Sequence, residues 1–209
     1  MSYHEEQETI DSLKHWWSRW GNVSTWVILI VLLGYAGWNG WHYWQRRQSA
    51  SAAVLYDQLQ QARTANDKQR VARIASDMEN SYSHTAYAQM TALEAARSFV
   101  DAGDAAAAKA QLQWAVDHAD DDSYKAIAQI RLAGLLLDEK SYDAGLALLS
   151  GTPPKAFAGA WADRRGDLLA ALGKRSDAAT AYRAALASLE ADDGSARQLV
   201  QFKLDALGV

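Results

Sequence analysis

The sequence predicts an all-α chain in which one membrane-spanning helix near the N-terminus is followed by a solenoid of helical hairpins. Three observations carry that prediction. From Val23 to Trp44 there is no Asp, Glu, Lys or Arg, and apolar and aromatic residues dominate. After Arg47 the chain is rich in Ala, Leu, Gln, Arg and Lys, which favour helix, and its two prolines stand together at Pro153 and Pro154. Within that second part, an order of small, large, turn, small and large residues recurs three times.

Residues 1–22 form a tail with its own pattern. Ile10, Leu13, Trp17 and Trp20 recur at steps of three and four, Trp16 flanks the stripe, and Asp11, Lys14 and Arg19 fall off it. This is the periodicity of an amphipathic helix. Beside a membrane span, such an aromatic face lies along the interface or docks into a partner's groove.

Residues 23–44 supply the roughly 20 apolar positions that a spanning helix needs at about 1.5 Å per residue. Seven of the nine tryptophans (Trp16, Trp17, Trp20, Trp26, Trp38, Trp41, Trp44) precede residue 45. An indole or phenol has an apolar ring and one polar group, so it is most stable at the headgroup level, where one end stays wet. Trp16, Trp17, Trp20 and Trp26 therefore read as one interfacial belt, and Trp38, Trp41, Tyr43 and Trp44 as the other. The tail carries Glu5, Glu6, Glu8 and Asp11, unlike the short basic start of a signal peptide, so the span is expected to be uncleaved. Lys14 and Arg19 before the span balance Arg46 and Arg47 after it, so the positive-inside rule does not orient it.

Residues 45–209 are long enough for a core of their own. Their charge is nearly balanced, with all but Lys14 and Arg19 of the 21 basic residues and all but the four tail acids of the 25 acidic ones. No nucleic-acid footprint is present. The absence of cysteine excludes disulfides, thiolate metal sites and cysteine nucleophiles.

The repeat emerges when Ala96, Ala133 and Gly166 are set in register. Three residues on stand Phe99, Leu136 and Leu169; seven on, Gly103, Lys140 and Gly173; twelve on, Ala108, Gly145 and Ala178; sixteen on, Leu112, Leu149 and Tyr182. Ala115 and Ala185 continue the outer copies, whereas Pro153 cuts the middle one short. The spacing is near the 34 residues of tetratricopeptide (TPR) repeats, with a degenerate signature, so the solenoid is TPR-like. Small residues let two antiparallel helices approach where they cross, and large neighbours fill the flanking space. Upstream, Ser49 to Ala65 and Val71 to Met78 read as an irregular extra pair. Downstream, Ala196 to Leu207 reads as a cap that turns Leu199, Phe202, Leu204 and Leu207 onto the last repeat.

No catalytic or cofactor chemistry is expected, and the chain reads as a non-enzyme. His4, His15, His42, His84 and His118 lack metal-ligand spacing, and no phosphate loop, nucleophile elbow or zinc-protease motif occurs. The acids Asp117, Asp120, Asp121 and Asp122 read as helix caps, and Asp192 and Asp193 repeat that grammar before the last helix. What remains is a surface. The first helices of the pairs would line a groove through Met90, Leu93, Arg97 and Val100, then Ile127, Ile130, Gly134 and Leu137, then the more acidic Ala160, Asp163, Asp167 and Ala170. Such a groove suits a peptide, unless the pair at 49–78 covers it.

Certain residues in this order resemble a known family. They are Tyr3 in the acidic tail, Leu13-Lys14 before Trp16-Trp17, Gly21-Asn22, and the exit Gly40-Trp41-His42-Tyr43-Trp44. Ser51-Ala52, Tyr56 and the stretch Ala108 to Trp114 complete the set. Together they resemble the ancillary SecYEG translocon subunit family, the YfgM-like proteins. The resemblance implies a bacterial inner-membrane protein with a cytoplasmic N-terminus and a TPR-like periplasmic domain. It also implies a place beside SecYEG, cooperation with the periplasmic chaperone PpiD, and contact with unfolded secretory polypeptides. The alternative expectation is a membrane-anchored TPR assembly factor of another envelope complex.

Overall fold

The computed structural model describes residues 2–190 and 193–208, with side chains described at Lys14 and from Trp17 onward. The tail stripe at Ile10 and Leu13 and the belt position Trp16 lie outside the described side chains, and Asp192 lies outside the described residues. Among the described residues the chain is helical, without a strand. It divides into two compact units, Met1–Gln48 and Ser49–Val209.

The first unit is the leading part of helix α1 (Ser2–Thr64). Among its described residues the apolar side chains are largely exposed: Ile30, Val31 and Leu33 are each 64 % exposed. A helix of this composition is stable where the solvent itself is apolar.

The second unit starts with the end of α1, followed by α2 (Lys68–Tyr82), α3 (Ala86–Asp101), α4 (Ala105–His118), α5 (Asp122–Asp138) and α6 (Tyr142–Leu148). A single 3-10 turn (Lys155–Phe157) leads to α7 (Ala158–Ala171), α8 (Arg175–Ser188) and α9 (Gly194–Ala206). Successive pairs form hairpins A (α1–α2), B (α3–α4), C (α5–α6) and D (α7–α8), closed by α9.

The four hairpins share one turn. In A, the N–H groups of Ala65, Asn66 and Asp67 donate to the carbonyls of Gln61, Arg63 and Ala62. The same pattern holds at Ala102–Asp104, Glu139–Ser141 and Leu172–Lys174. This is the Schellman ending, and it requires a left-handed residue at its centre. Asn66 (φ 53°), Gly103 (73°), Lys140 (61°) and Gly173 (75°) occupy that position. Three of them are the turn residues of the sequence register, and Asn66 adds a fourth copy that the register did not include. The residue after each turn centre is the N-cap of the next helix; Asp67 and Asp104 cap through their carboxylates, accepting from the Arg70 and Ala107 N–H groups at 3.0 Å.

Side-chain sizes explain why A reads as irregular in the sequence. The register positions hold Ala96, Phe99, Ala108, Leu112 and Ala115 in B, and Leu59, Ala62, Val71, Ala75 and Met78 in A. Both sets are buried. Large and small are exchanged at every position while the total is conserved, which close packing tolerates.

Two glycines of the register make close approaches, Gly166 within D and Gly145 of C against α7 of D. A Cβ at Gly166 would lie 2.4 Å from the buried Tyr182 ring, and one at Gly145 would lie 2.8 Å from Leu168. The proline pair ends C early, as expected. The truncated α6 leaves the Leu149 carbonyl without a helical partner, and two side chains of α7 supply donors: Trp161 Nε1 at 3.1 Å and Arg165 Nη1 at 2.7 Å. The core is a chain of small adjoining clusters, each shared by neighbouring hairpins, as in a solenoid.

The cap differs from expectation. α9 buries Val200 and Leu207 and half-buries Leu204, whereas Leu199 and Phe202 are 55 % and 71 % exposed. The cause is Lys203, whose Nζ lies 2.8 Å from Asp163 Oδ1 and 2.8 Å from Asp167 Oδ1. Turning that ammonium onto α7 selects the stripe through 200, 203, 204 and 207 as the inner face. Asp193 stands at the N-cap of α9 but makes no side-chain capping bond. Asp121 does cap α5, accepting from the Ser123 N–H at 2.7 Å, and that bond holds its carboxyl below the usual carboxylate range.

Candidate functional site

Two surfaces follow from the residues up. The first lies on α1. The helix from Trp17 to Thr64 contains an 18-residue window long and apolar enough to cross a membrane, and only 6 % of that window is buried. A core helix of a soluble protein of the same composition would be mostly covered. Trp17 (58 %), Trp20 (54 %), Trp38 (67 %), Trp41 (62 %), Tyr43 (69 %) and Trp44 (51 %) all project outward. Trp20 and Trp41 are separated along the axis by roughly 30 Å at about 1.5 Å per residue, close to the thickness of a hydrocarbon core. Within the C-terminal belt, Trp38 meets His42 edge-on at 4.7 Å and Trp41 leans on Trp44 at 5.5 Å.

The second surface lies where the first helices of hairpins B, C and D adjoin. The structure sorts the predicted groove residues into two groups. Leu93 is 5 % exposed and belongs to the core between B and C, where Ile127 also packs. Ile130 and Leu137 pack against the cluster of Trp161 and Leu168, and Met90 is half-buried. Leu93, Ile127, Ile130 and Leu137 hold the hairpins together, because the positions facing a neighbouring pair in a stack are consumed by it. Arg97 and Val100 are exposed. They meet Arg131, Gly134, Leu135, Asp138 and Arg164 around an open cavity of about 400 Å³ floored by Ala96 and Leu112. Hairpin A does not cover this face, for its core side chains pack onto Ala95, Phe99 and Ala108 instead.

The electrostatics of that cavity are one-sided. Among the described residues Arg97 has no hydrogen-bond or ion-pair partner. The Arg131 guanidinium donates to the Leu93 carbonyl at 3.2 Å, which leaves its charge uncompensated. Arg164 reaches Asp167 Oδ2 at 3.2 Å through Nη1, while its Nε is buried without a partner. Gly134 makes the space in which that guanidinium lies, 3.4 Å from where a Cβ would be. Asp138 is the one carboxylate lining the cavity.

The acidic end expected on hairpin D is already occupied. Asp163 and Asp167 share Lys203, and Asp167 accepts from the Tyr182 hydroxyl at 3.0 Å. Burial pushes the Asp163 carboxyl above its ordinary range despite the ammonium beside it. Burial, then the Asp167 carboxylate, likewise pushes the Tyr182 hydroxyl up. This network fastens α9 to hairpin D. Among the described residues no group of His, Asp and Glu side chains is arranged to hold a metal.

Arg131 and Arg164 were legible yet overlooked, since both stand two residues before a register position, Ala133 and Gly166. The family model described as a tetratricopeptide repeat-like domain matches residues 14–209. Among curated proteins, the ancillary SecYEG translocon subunit of Neisseria gonorrhoeae (strain ATCC 700825 / FA 1090) is 32 % identical over 205 residues, covering 97 % of each chain. The chain belongs to the ancillary SecYEG translocon subunit family. Two other members bearing that name are similar: one of Haemophilus influenzae, 29 % identical over 87 % of this chain and 88 % of its own, and one of Escherichia coli, 33 % identical over 49 % of this chain and 50 % of its own. The Neisseria match runs nearly end to end, so the family likeness includes α1 as well as the hairpins.

Proposed function

We propose that this family member is a non-catalytic subunit of the bacterial inner membrane that sits beside the SecYEG translocon. Its N-terminus is cytoplasmic and its hairpin domain periplasmic. There it acts with PpiD as a chaperone-like scaffold for polypeptides being exported. The observation that carries this reading is the 32 % identity, over 97 % of both chains, to a protein named for its association with SecYEG. The exposed apolar helix with aromatic residues at both ends supports the anchor, with Trp17 and Trp20 in the first belt and Tyr43 and Trp44 in the second. The face around Arg97 and Val100 supports a docking role. Tethering at the channel exit gives an effective concentration on the order of millimolar, so weak contacts suffice.

Gentle detergent extraction and affinity capture of the full chain should recover SecY and PpiD. Val100→Asp, on an exposed position, should lower recovery of PpiD while leaving SecY and helicity unchanged. Protease added to spheroplasts should digest the hairpin domain. Capture of no Sec component, or of another envelope machine in cells depleted of Sec subunits, would contradict the reading.

A further inference from the structure

The cavity between hairpins B, C and D has a chemistry more specific than that of an apolar groove. Three guanidinium groups, one from each of α3, α5 and α7, line it together with Val100 and Leu135. The chain carries a formal net charge of −4, so a local excess of positive charge is not a property of the surface at large. Facing these three arginines are Asp138, which lines the cavity, and Asp167, which is already shared with Lys203 and Tyr182. Glu94 of α3 is paired with Arg63. The Arg164 side chain is 32 % exposed beside the cavity, with Nη1 on Asp167 Oδ2 and Nε buried without an acceptor.

From this charge complementarity we propose that the face binds an extended segment of a partner polypeptide in which a carboxylate side chain recurs at every third residue with apolar ones between. The planar fork of arginine pairs with a carboxylate through two parallel bonds, which lysine cannot do. Packed helices lie about 8–10 Å apart, so Arg97 and Arg131 stand on backbones offset by about that distance, while the Arg164 guanidinium reaches over Gly134 of α5. An extended chain with about 3.1 Å rise and three residues per turn repeats a face every ~9 Å. Carboxylates three residues apart would therefore meet successive arginines, while the apolar side chains between them rest on Val100 and Leu135.

The inference rests on the polypeptide-docking reading above and adds the chemistry of what docks. It is tested on the full chain in detergent micelles, by fluorescence anisotropy with short fluorescein-labelled peptides. Glutamate occupies every third position of the first peptide and leucine lies between; the matched peptides carry glutamine or lysine instead. The glutamate peptide should bind, and replacing its glutamates by glutamine should weaken binding roughly tenfold or more, with a steep loss on adding salt. Arg97→Gln and Arg131→Gln should each weaken the glutamate peptide roughly tenfold and leave the glutamine peptide unaffected. Arg97 is exposed and without a partner among the described residues, so its variant keeps the fold. Equal binding of the glutamate and glutamine peptides, no binding of either, or an unchanged affinity in both arginine variants would overturn the proposal. So would displacement of the peptide by phosphatidylglycerol vesicles, or a sedimenting mass that doubles in the wild type and not in Arg97→Gln, which would assign the face to lipid or to a second copy. SecY recovered by the same arginine variants would show that a negative result removes the groove chemistry and leaves the translocon reading in place.

Discussion

Hairpins A and D make the same turn from opposite materials. At the crossing of D stands Gly166, with Tyr182 as its large counterpart; at the equivalent positions of A stand Leu59 and Ala75, and all four side-chain positions are buried. The hydrogen bonds that close the two turns are the same, donor for donor. What is conserved between repeats is thus the backbone ending and the total volume at the crossing, while the assignment of large and small is free. The comparison teaches that a helical repeat can be defined more securely by its left-handed residue than by its apolar pattern.

The largest way to break this comparison is to empty A. Leu59→Ala leaves a cavity in a closed site and should cost about 2–5 kcal/mol in chemical unfolding of the detergent-solubilised chain, followed by circular dichroism. At the same position in D the opposite change is harmful. Gly166→Ala places a Cβ against the Tyr182 ring and should cost about 1–3 kcal/mol by overpacking. If both substitutions proved neutral, the register that equates the two hairpins would be wrong.

The ends of the array differ as well: Lys203 of α9 is shared by two carboxylates of D, whereas A meets B through its apolar core and the Arg63–Glu94 pair. Lys203→Met removes the shared cation and strands Asp163 and Asp167, which should cost about 1–3 kcal/mol near neutral pH. Burial raises the folded-state pKa of Asp163, so its ionisation opposes folding. That penalty is absent below its unfolded value and complete above the raised one. The deficit of Lys203→Met should therefore shrink as pH falls through the carboxylate range; a deficit independent of pH would contradict the assignment.

A smaller effect sharpens the turn itself. Lys140 holds a left-handed conformation that glycine holds in B and D, so Lys140→Gly should stabilise the chain by about 0.5–1 kcal/mol. The smallest effect concerns Glu79, at the edge of A, whose carboxyl is pushed up by burial and whose Oε1 is buried without a partner. Glu79→Gln should gain a few tenths of a kcal/mol at neutral pH and nothing once the pH is low enough to protonate the carboxyl in both states.

Much of this was legible beforehand for reasons the hairpins make plain. Hairpins B, C and D announced themselves because glycine or alanine is forced where backbones cross, and Gly103 and Gly173 are forced where φ is positive. Hairpin A stayed irregular in a comparison of sizes because Asn66 is a weaker sign of a left-handed turn and its apolar positions are inverted. The long apolar helix was legible from length and composition alone. The groove was legible only in part: periodicity places Leu93, Ile127, Ile130 and Leu137 on an apolar face, but it does not say which side of that face the next hairpin takes. Arg97 and Val100 were found, whereas Arg131 and Arg164 were passed over because charge on an exposed helix is ordinarily solvated. The rotation of α9 was not readable, since it depends on Lys203 reaching acids forty residues upstream.

The most direct test places a photo-activatable cross-linker at Val100 in living cells and, as a comparison, at the exposed Gln113 on the second helix of the same hairpin. The expected result is capture of PpiD and exported chains from position 100, reduced by Arg131→Gln, and little from position 113. Equal capture from both positions, or capture from 113 alone, would contradict the central claim that the shared face of the first helices is where this protein meets its polypeptide partners.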